Sequence, residues 1–301
     1  MAIVPQKERD IIMAQKVKVI SDSTCDLSPE LLEKYDITLT PLYITSGDEE
    51  FRDGVDVKPA DIFRMVEKED KTCKTAAVNI HDYKQTWEKY AGEYDEIIQI
   101  CISEGFSACY QNALLAAEDF PQKEKIHVID SRNLSTGQGY LVLDAAIMAR
   151  EGKSANEICE YINKSKTLMN CSFVIDRLDY LHRGGRCSGV ALISTKILGI
   201  KPCIEVADGA MRVGKKYRGK FEKCLEIYVK ERLADFENVD LTRVFITHPA
   251  CSPETVERVR EVIKKCITFH EIIETNAGCT VSNHCGPNTL GIIFKQKSDY
   301  K

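Results

Sequence analysis

Chemistry in this 301-residue chain could rest on hydroxyl, imidazole and guanidinium groups that fall in glycine-rich or turn-rich stretches. Gly105-Phe106-Ser107-Ala108-Cys109 follows an apolar run and precedes a helical pattern. A hydrolase nucleophile elbow has that layout, and His284 arrives late enough for the chain order Ser, Asp, His. The closing glycine, which relieves crowding at the strained turn, is replaced by Cys109. A serine at a helix start also caps the helix, the commonest use of Ser there, or joins the unpaired N–H groups in holding an anion. N-cap, anion contact and nucleophile therefore stand as three roles for Ser107.

Other polar groups gather in comparable places. Ser21-Asp22-Ser23-Thr24 and Asp130-Ser131-Arg132 follow strand patterns, and Lys74-Thr75-Ala76 precedes His81 and its helix. Ligands of open parallel sheets bind beyond the strand C-termini. Each hydroxyl alone reads as a turn or cap residue; together, with few carboxylates among them, they suit holding an anion better than cutting a bond. Arg183-Gly184-Gly185-Arg186, followed by Lys215, Lys216 and Arg218, reads either as a carboxylate or phosphate contact on a flexible turn or as a solvated basic loop. His284 sits in Asn283-His284-Cys285-Gly286-Pro287, a Gly/Pro loop that core packing explains poorly.

Two nucleotide motifs fail. Gly152-Lys153-Ser154 resembles the end of a P-loop, but position 147 is Ile where glycine is required. Gly137-Gln138-Gly139 lacks the third glycine of a dinucleotide loop. Thirteen cysteines, an odd count with no C-x-x-C pair, fit neither a structural zinc site nor a disulfide framework. They are expected to be buried reduced thiols, and no metal or cofactor is expected.

The elements that must position these residues alternate. Residues 17–20, 96–103 and 126–129 read as strands, 37–45 is β-rich, and 107–120 and 134–150 read as helices. Ser28-Pro29-Glu30 opens a helix with Ser as cap and Pro at the first helical position, and 58–70 carries Ile62, Phe63 and Val66 on one face. This alternation predicts β-α-β units and a largely parallel sheet with helices on both faces. A capping box, Ser154-Ala155-Asn156-Glu157, starts a helix to about Met169. Beyond it, strands are predicted at 171–175, 200–206, 241–247 and 291–294, with helices at 217–236 and 252–266.

At about 150 residues per domain, the length implies two. The pattern pauses at Glu151-Gly152-Lys153. We expect an N-terminal extension at 1–15, an N-terminal α/β domain at 16–155 and a C-terminal α/β domain at 156–301. Hydrophobic residues at 44% and charged residues at 29% exclude a disordered, collagen-like or coiled-coil chain. With 41 basic against 46 acidic residues the net charge is −5, the wrong sign for a protein that neutralises phosphate backbones. No window approaches 18 uninterrupted apolar residues, and Lys7, Glu8, Arg9 and Asp10 stand where a signal peptide would be apolar. A cytoplasmic protein without a transmembrane segment is expected.

From Val17 to about Phe294 the chain resembles the DegV family of bacterial fatty-acid-binding proteins, which includes the fatty-acid-carrying subunit of fatty acid kinase. The resemblance rests on Asp22-Ser23-Thr24-Cys25-Asp26-Leu27, Lys74-Thr75, Phe106 to Gln111, Asp130-Ser131, Leu178 to Leu181 running into Gly184-Gly185-Arg186, Ile200-Lys201-Pro202 with Asp208-Gly209, and His284 to Pro287. It implies two α/β domains with one long-chain fatty acid, such as palmitate or stearate, between them. The carboxylate-binding residues of the family map onto Thr75, Ser107 and His284. The resemblance also implies a carrier without catalytic residues that presents its ligand to an ATP-dependent kinase subunit for acyl phosphate formation, with Arg183, Arg186 and Arg218 as partner or phosphate contacts. Ala76, Ala108 and Asn288 depart from the family's serine, glycine and glycine, which narrows and dries the expected mouth. The alternative is a serine hydrolase or thioesterase built on Ser107 and His284.

Overall fold

The computed structural model describes residues 15–188 and 199–297. The expected N-terminal extension lies outside them, apart from Gln15. In the first half the chain runs through β1 (Val17–Asp22), α1 (Pro29–Lys34), β2 (Thr38–Thr40), β3 (Tyr43–Ser46), β4 (Glu49–Arg52), α2 (Pro59–Glu67), β5 (Cys73–Ala76), α3 (Ile80–Glu88), β6 (Glu96–Cys101), α4 (Cys109–Glu118), β7 (Ile126–Asp130) and α5 (Ser135–Arg150). Strands β2-β1-β6-β7 form one parallel sheet in that order, and β4-β3-β5 form a small antiparallel sheet beside it.

The second half runs through α6 (Ala155–Ser165), β8 (Met169–Ile175), α7 (Leu178–Gly184), β9 (Cys187–Ser188), β10 (Ile200–Ala207), β11 (Ala210–Arg218), α8 (Phe221–Arg232), β12 (Val239–His248), α9 (Pro253–Cys266), β13 (Glu271–Asn276), α10 (Cys279–Cys285) and β14 (Thr289–Gln296). Its strands make a mixed seven-stranded sheet, ordered β13-β12-β14-β8-β10-β11-β9. The fold is thus two α/β layers with distinct sheets, the first parallel.

Local signals explain many of the boundaries. Ser28, Ser154 and Ser252 each accept an N–H from the first turn of their helices, and Ser154 with Glu157 completes a capping box. Helix α5 is buried from Ser135 to Ala146 because it packs against β1 and β6 on one side and β8, β12 and β14 on the other. Its Asp144 meets Arg243 of β12 at 2.5 Å and Lys295 of β14 at 3.2 Å, a buried charge cluster joining the halves. None of the thirteen cysteines is in a disulfide; eight are buried and five half-buried. No described helix is long and apolar enough to cross a membrane.

The structure corrects the helix predicted at 217–236. Residues 210–218 form β11, in which Met211 and Tyr217 point inward, and the helix begins only at Phe221 and ends at Arg232. Gly219, at φ +129°, breaks the chain between strand and helix. Register with β10 and the burial of Met211 and Tyr217 outweigh local helix preference there.

Candidate functional site

Thr75 lies on β5, opposite Ile44 of β3, so the small sheet fixes its position. Ser107 stands between β6 and α4. The structure places Ala108, not Ser107, at the N-cap of α4, because the turn that returns the N–H of Phe106 and Ser107 to the Ser103 carbonyl delays the helix by a residue. Ser107 nevertheless satisfies a helix-start amide: its Oγ accepts the Cys109 N–H at 3.3 Å and donates to Cys109 Sγ at 3.1 Å. Burial pushes the Cys109 thiol up to about 12, so that sulfur is neutral.

His284 lies in the last turn of a helix rather than in a loop; Gly286 and Pro287 only end it. The sequence Cys279-Thr280-Val281-Ser282-Asn283 is poor in helix formers. Helix α10 forms because two aspartate side chains from the far half of the chain accept its first amides. Asp26 Oδ1 accepts the Gly278 N–H at 2.8 Å, and the two oxygens of Asp53 accept those of Cys279 and Thr280 at 2.9 and 3.1 Å. Burial, with the nearby Asp53 charge adding, raises the Asp26 carboxyl to about 8, so it is mostly protonated at neutral pH.

So held, α10 brings His284 Nε2 to 2.9 Å from Thr75 Oγ1, across 209 residues of sequence. Burial and the adjacent Arg186 charge lower the His284 imidazole to about 4, leaving it neutral at pH 7. Among the described residues its Nδ1 has no hydrogen-bond partner, and it rests against Gly184, where an added Cβ would lie 2.4 Å away. A stranded lone pair is tolerated more readily than a stranded N–H. We therefore assign the proton to Nε2, which donates to Thr75 Oγ1 and leaves the threonine hydroxyl free to donate elsewhere.

Two cavities meet at this pair. The inner one, about 230 Å³, is walled by Leu42, Ile102, Phe106, Leu134, Met211 and Val281, among others, with Thr75, Ser107, Arg186 and His284 at one end. The other, about 190 Å³, shares Thr75, Arg186 and His284 and is otherwise largely polar, with Lys74, Arg183 and Asn283 in its walls. The arrangement is an apolar chamber and a polar vestibule joined at a hydroxyl and an imidazole.

Of the six residues singled out in the sequence, Thr75, Ser107, His284 and Arg186 converge on the inner chamber. Arg183 reaches the vestibule alone; it lies in the last turn of α7, with its guanidinium on Asp179 and over the Tyr180 ring. The expected flexible Gly-Gly turn is the end of that helix, capped by Gly185 in the left-handed conformation. Arg218 is exposed at the end of β11 and lines neither cavity. A larger open cleft of about 980 Å³ shares no residue with the chamber, and several of its charges pair with one another, as Arg232 and Arg212 do with Glu205. Asp26, Asp53 and the cavity-lining Thr280 carried no functional signal of their own in sequence; Asp26 appears only within the resemblance motif, and Gly184 only as part of a flexible basic turn and of that motif. No group of three or more potential metal ligands occurs among the described residues.

A nucleophilic serine needs a base within hydrogen-bond reach and a third group to orient that base. Ser107 is bonded to Cys109, His284 Nε2 to Thr75, and no carboxylate of the described residues orients Nδ1.

The family model described as "Uncharacterised protein, DegV family" matches residues 16–297. The chain belongs to the DegV family. A DegV domain-containing protein of Caldanaerobacter subterraneus is 31% identical over 94% of this chain and all of its own length, and one of Clostridium perfringens is 32% identical over 94% and 99%. A Thermus thermophilus DegV protein described by its fatty acid binding superposes with a TM-score of 0.86 at 25% identity, covering 94% of this chain and 100% of its own. A stearic-acid-binding protein of Eubacterium ventriosum gives a TM-score of 0.81 at 27% identity, with 93% and 98% covered. A Thermotoga maritima protein with a fatty acid binding function gives 0.79 at 26%, with 93% and 99% covered. These DegV neighbours are described by what they bind, not by a reaction.

Proposed function

We propose that this DegV protein is a cytoplasmic carrier that binds one long-chain fatty acid between the domains at 16–155 and 156–301. The observation that carries the reading is the Thr75–His284 pair at the junction of an apolar chamber and a polar vestibule. The Thr75 hydroxyl and the Ser107 hydroxyl, turned from Cys109, donate to the carboxylate, while neutral His284 fixes the threonine rotor. The tail fills the chamber. Each buried CH₂ contributes roughly 0.8 kcal/mol, so a sixteen-carbon tail supplies on the order of 10 kcal/mol before ordering costs. The polar end then sets which way the chain lies more than how tightly it is held.

The vestibule, with Lys74, Arg183 and Arg186 in its walls, suits an acyl phosphate formed by a separate ATP-dependent kinase subunit. In that reading the carrier contributes no catalytic residue, and the ligand sets disfavour the serine hydrolase alternative. Thr75→Ala combined with Ser107→Ala should leave folding intact and strip the lipid. Mass spectrometry of the purified protein, native and after solvent extraction, checks this; a double variant that retains stoichiometric fatty acid overturns the assignment.

A further inference from the structure

Three hydroxyls line the inner chamber: Thr75, Ser107 and Thr280. The first two have partners. Thr280 is only 5% exposed, and its Oγ1 has no hydrogen-bond partner. Threonine in a helix commonly returns its hydroxyl to a carbonyl three or four residues back. Thr280 is the second residue of α10, so the residue four back is Asn276, the end of β13, and the Ala277 carbonyl three back already accepts the Ser282 hydroxyl at 3.1 Å. The Asp53 carboxylate is spent on the backbone amides of Cys279 and Thr280 and on the Ser23 hydroxyl. Among the described residues nothing meets the Thr280 hydroxyl, and the residue lines the chamber beside the aliphatic Leu42, Ile102, Leu134 and Val281.

A buried hydroxyl left unpaired is a free-energy cost that a ligand removes by carrying a hydrogen-bonding group to the same depth. Thr280 precedes His284 by four residues, about 6 Å along the helix, and helical side chains lean toward the N-terminus, so the two share one face. We infer that Thr280 selects acyl chains bearing a hydroxyl close to the carboxyl end over the plain chain of equal length. The inference rests on the fatty-acid reading of this site and deepens it by naming the ligand class.

The test measures the affinities of the delipidated full chain for palmitate, 3-hydroxypalmitate and 16-hydroxypalmitate. The 3-hydroxy acid should bind about 3- to 10-fold tighter than palmitate, the 16-hydroxy acid no tighter. The ratio of 3-hydroxypalmitate to palmitate affinity should fall to about one in Thr280→Val and be retained in Thr280→Ser. Binding of both acids with the same ratio in the wild type and Thr280→Val would overturn the selection while sparing the carrier reading. If neither acid bound the wild type, the carrier reading would fall and the inference with it.

Discussion

Gly184 is the backbone against which the His284 ring lies, and Gly184→Ala tests whether that contact sets ligand binding. The new Cβ would stand 2.4 Å from Nδ1, 3.2 Å from the ring Cγ and 3.4 Å from the His284 Cβ. Reaching ordinary contact requires the ring to move about 1 Å, which displaces Nε2 from its present place 2.9 Å from Thr75 Oγ1. If misplacing the ring and the threonine rotor weakens the head-group contact by about 1–3 kcal/mol, Kd for fatty acid rises roughly 5- to 150-fold. Folding should fall by less, because alanine's helix preference over glycine, up to about 0.5–1 kcal/mol, offsets part of the strain. Gly185→Ala is the matched control: its φ is +65°, yet nothing lies within 4 Å of the new Cβ. That change should cost about 1 kcal/mol of stability through backbone strain and leave affinity within about twofold. Displacement of a fluorescent fatty acid, read beside the thermal midpoint, separates the two effects. A Gly184→Ala protein that binds as tightly as the wild type would refute the claim that the ring's position governs the site.

Two further predictions concern groups around the site. Asp26 titrates near 8 in the folded chain and near 3.9 unfolded, so the native state holds the extra proton between those values and stability falls as pH rises from about 4 to 8. Asp26→Asn mimics the protonated form, still accepting the Gly278 N–H and now donating to Ser135, and should flatten that decline in urea unfolding measured at several pH values. Arg186 donates to the Gly184 carbonyl at 2.7 Å and lines both cavities. Arg186→Ala should reduce acyl phosphate formation per bound lipid when kinase subunit and ATP are supplied; an undiminished yield counts against the vestibule as the phosphoryl end.

The first sheet was legible because its strands are apolar runs separated by amphipathic or serine-capped helices, each signal lying within a few residues. Thr75, Ser107 and His284 stand out as candidates only through a pattern spread over most of the chain, since none of their local surroundings distinguishes a ligand from a cap. The rest was hidden for a common reason. The helix that carries His284 takes its N-terminal partners from Asp26 and Asp53, more than two hundred residues away, so propensity at 279–285 pointed to a loop. β11 was hidden likewise, because its polar, lysine-rich stretch becomes a strand by pairing with β10. Gly184 looked like half of a flexible turn because the ring that forbids a side chain there arrives from α10.

The walls of the chamber are made in a fixed order during synthesis. Leu42, Thr75, Phe106 and Leu134 leave the ribosome early, Arg186 and Met211 later, and Thr280 to Cys285 after all of them. A nascent chain stopped short of α10 has strands to fold and carboxylates at Asp26 and Asp53 to desolvate, but no imidazole beside Thr75. On the proposed carrier reading, it cannot close its site around a lipid. Occupancy therefore reports that the late helix has docked, and a ligand touching both early and late segments shifts the docking equilibrium by mass action in favour of the finished fold.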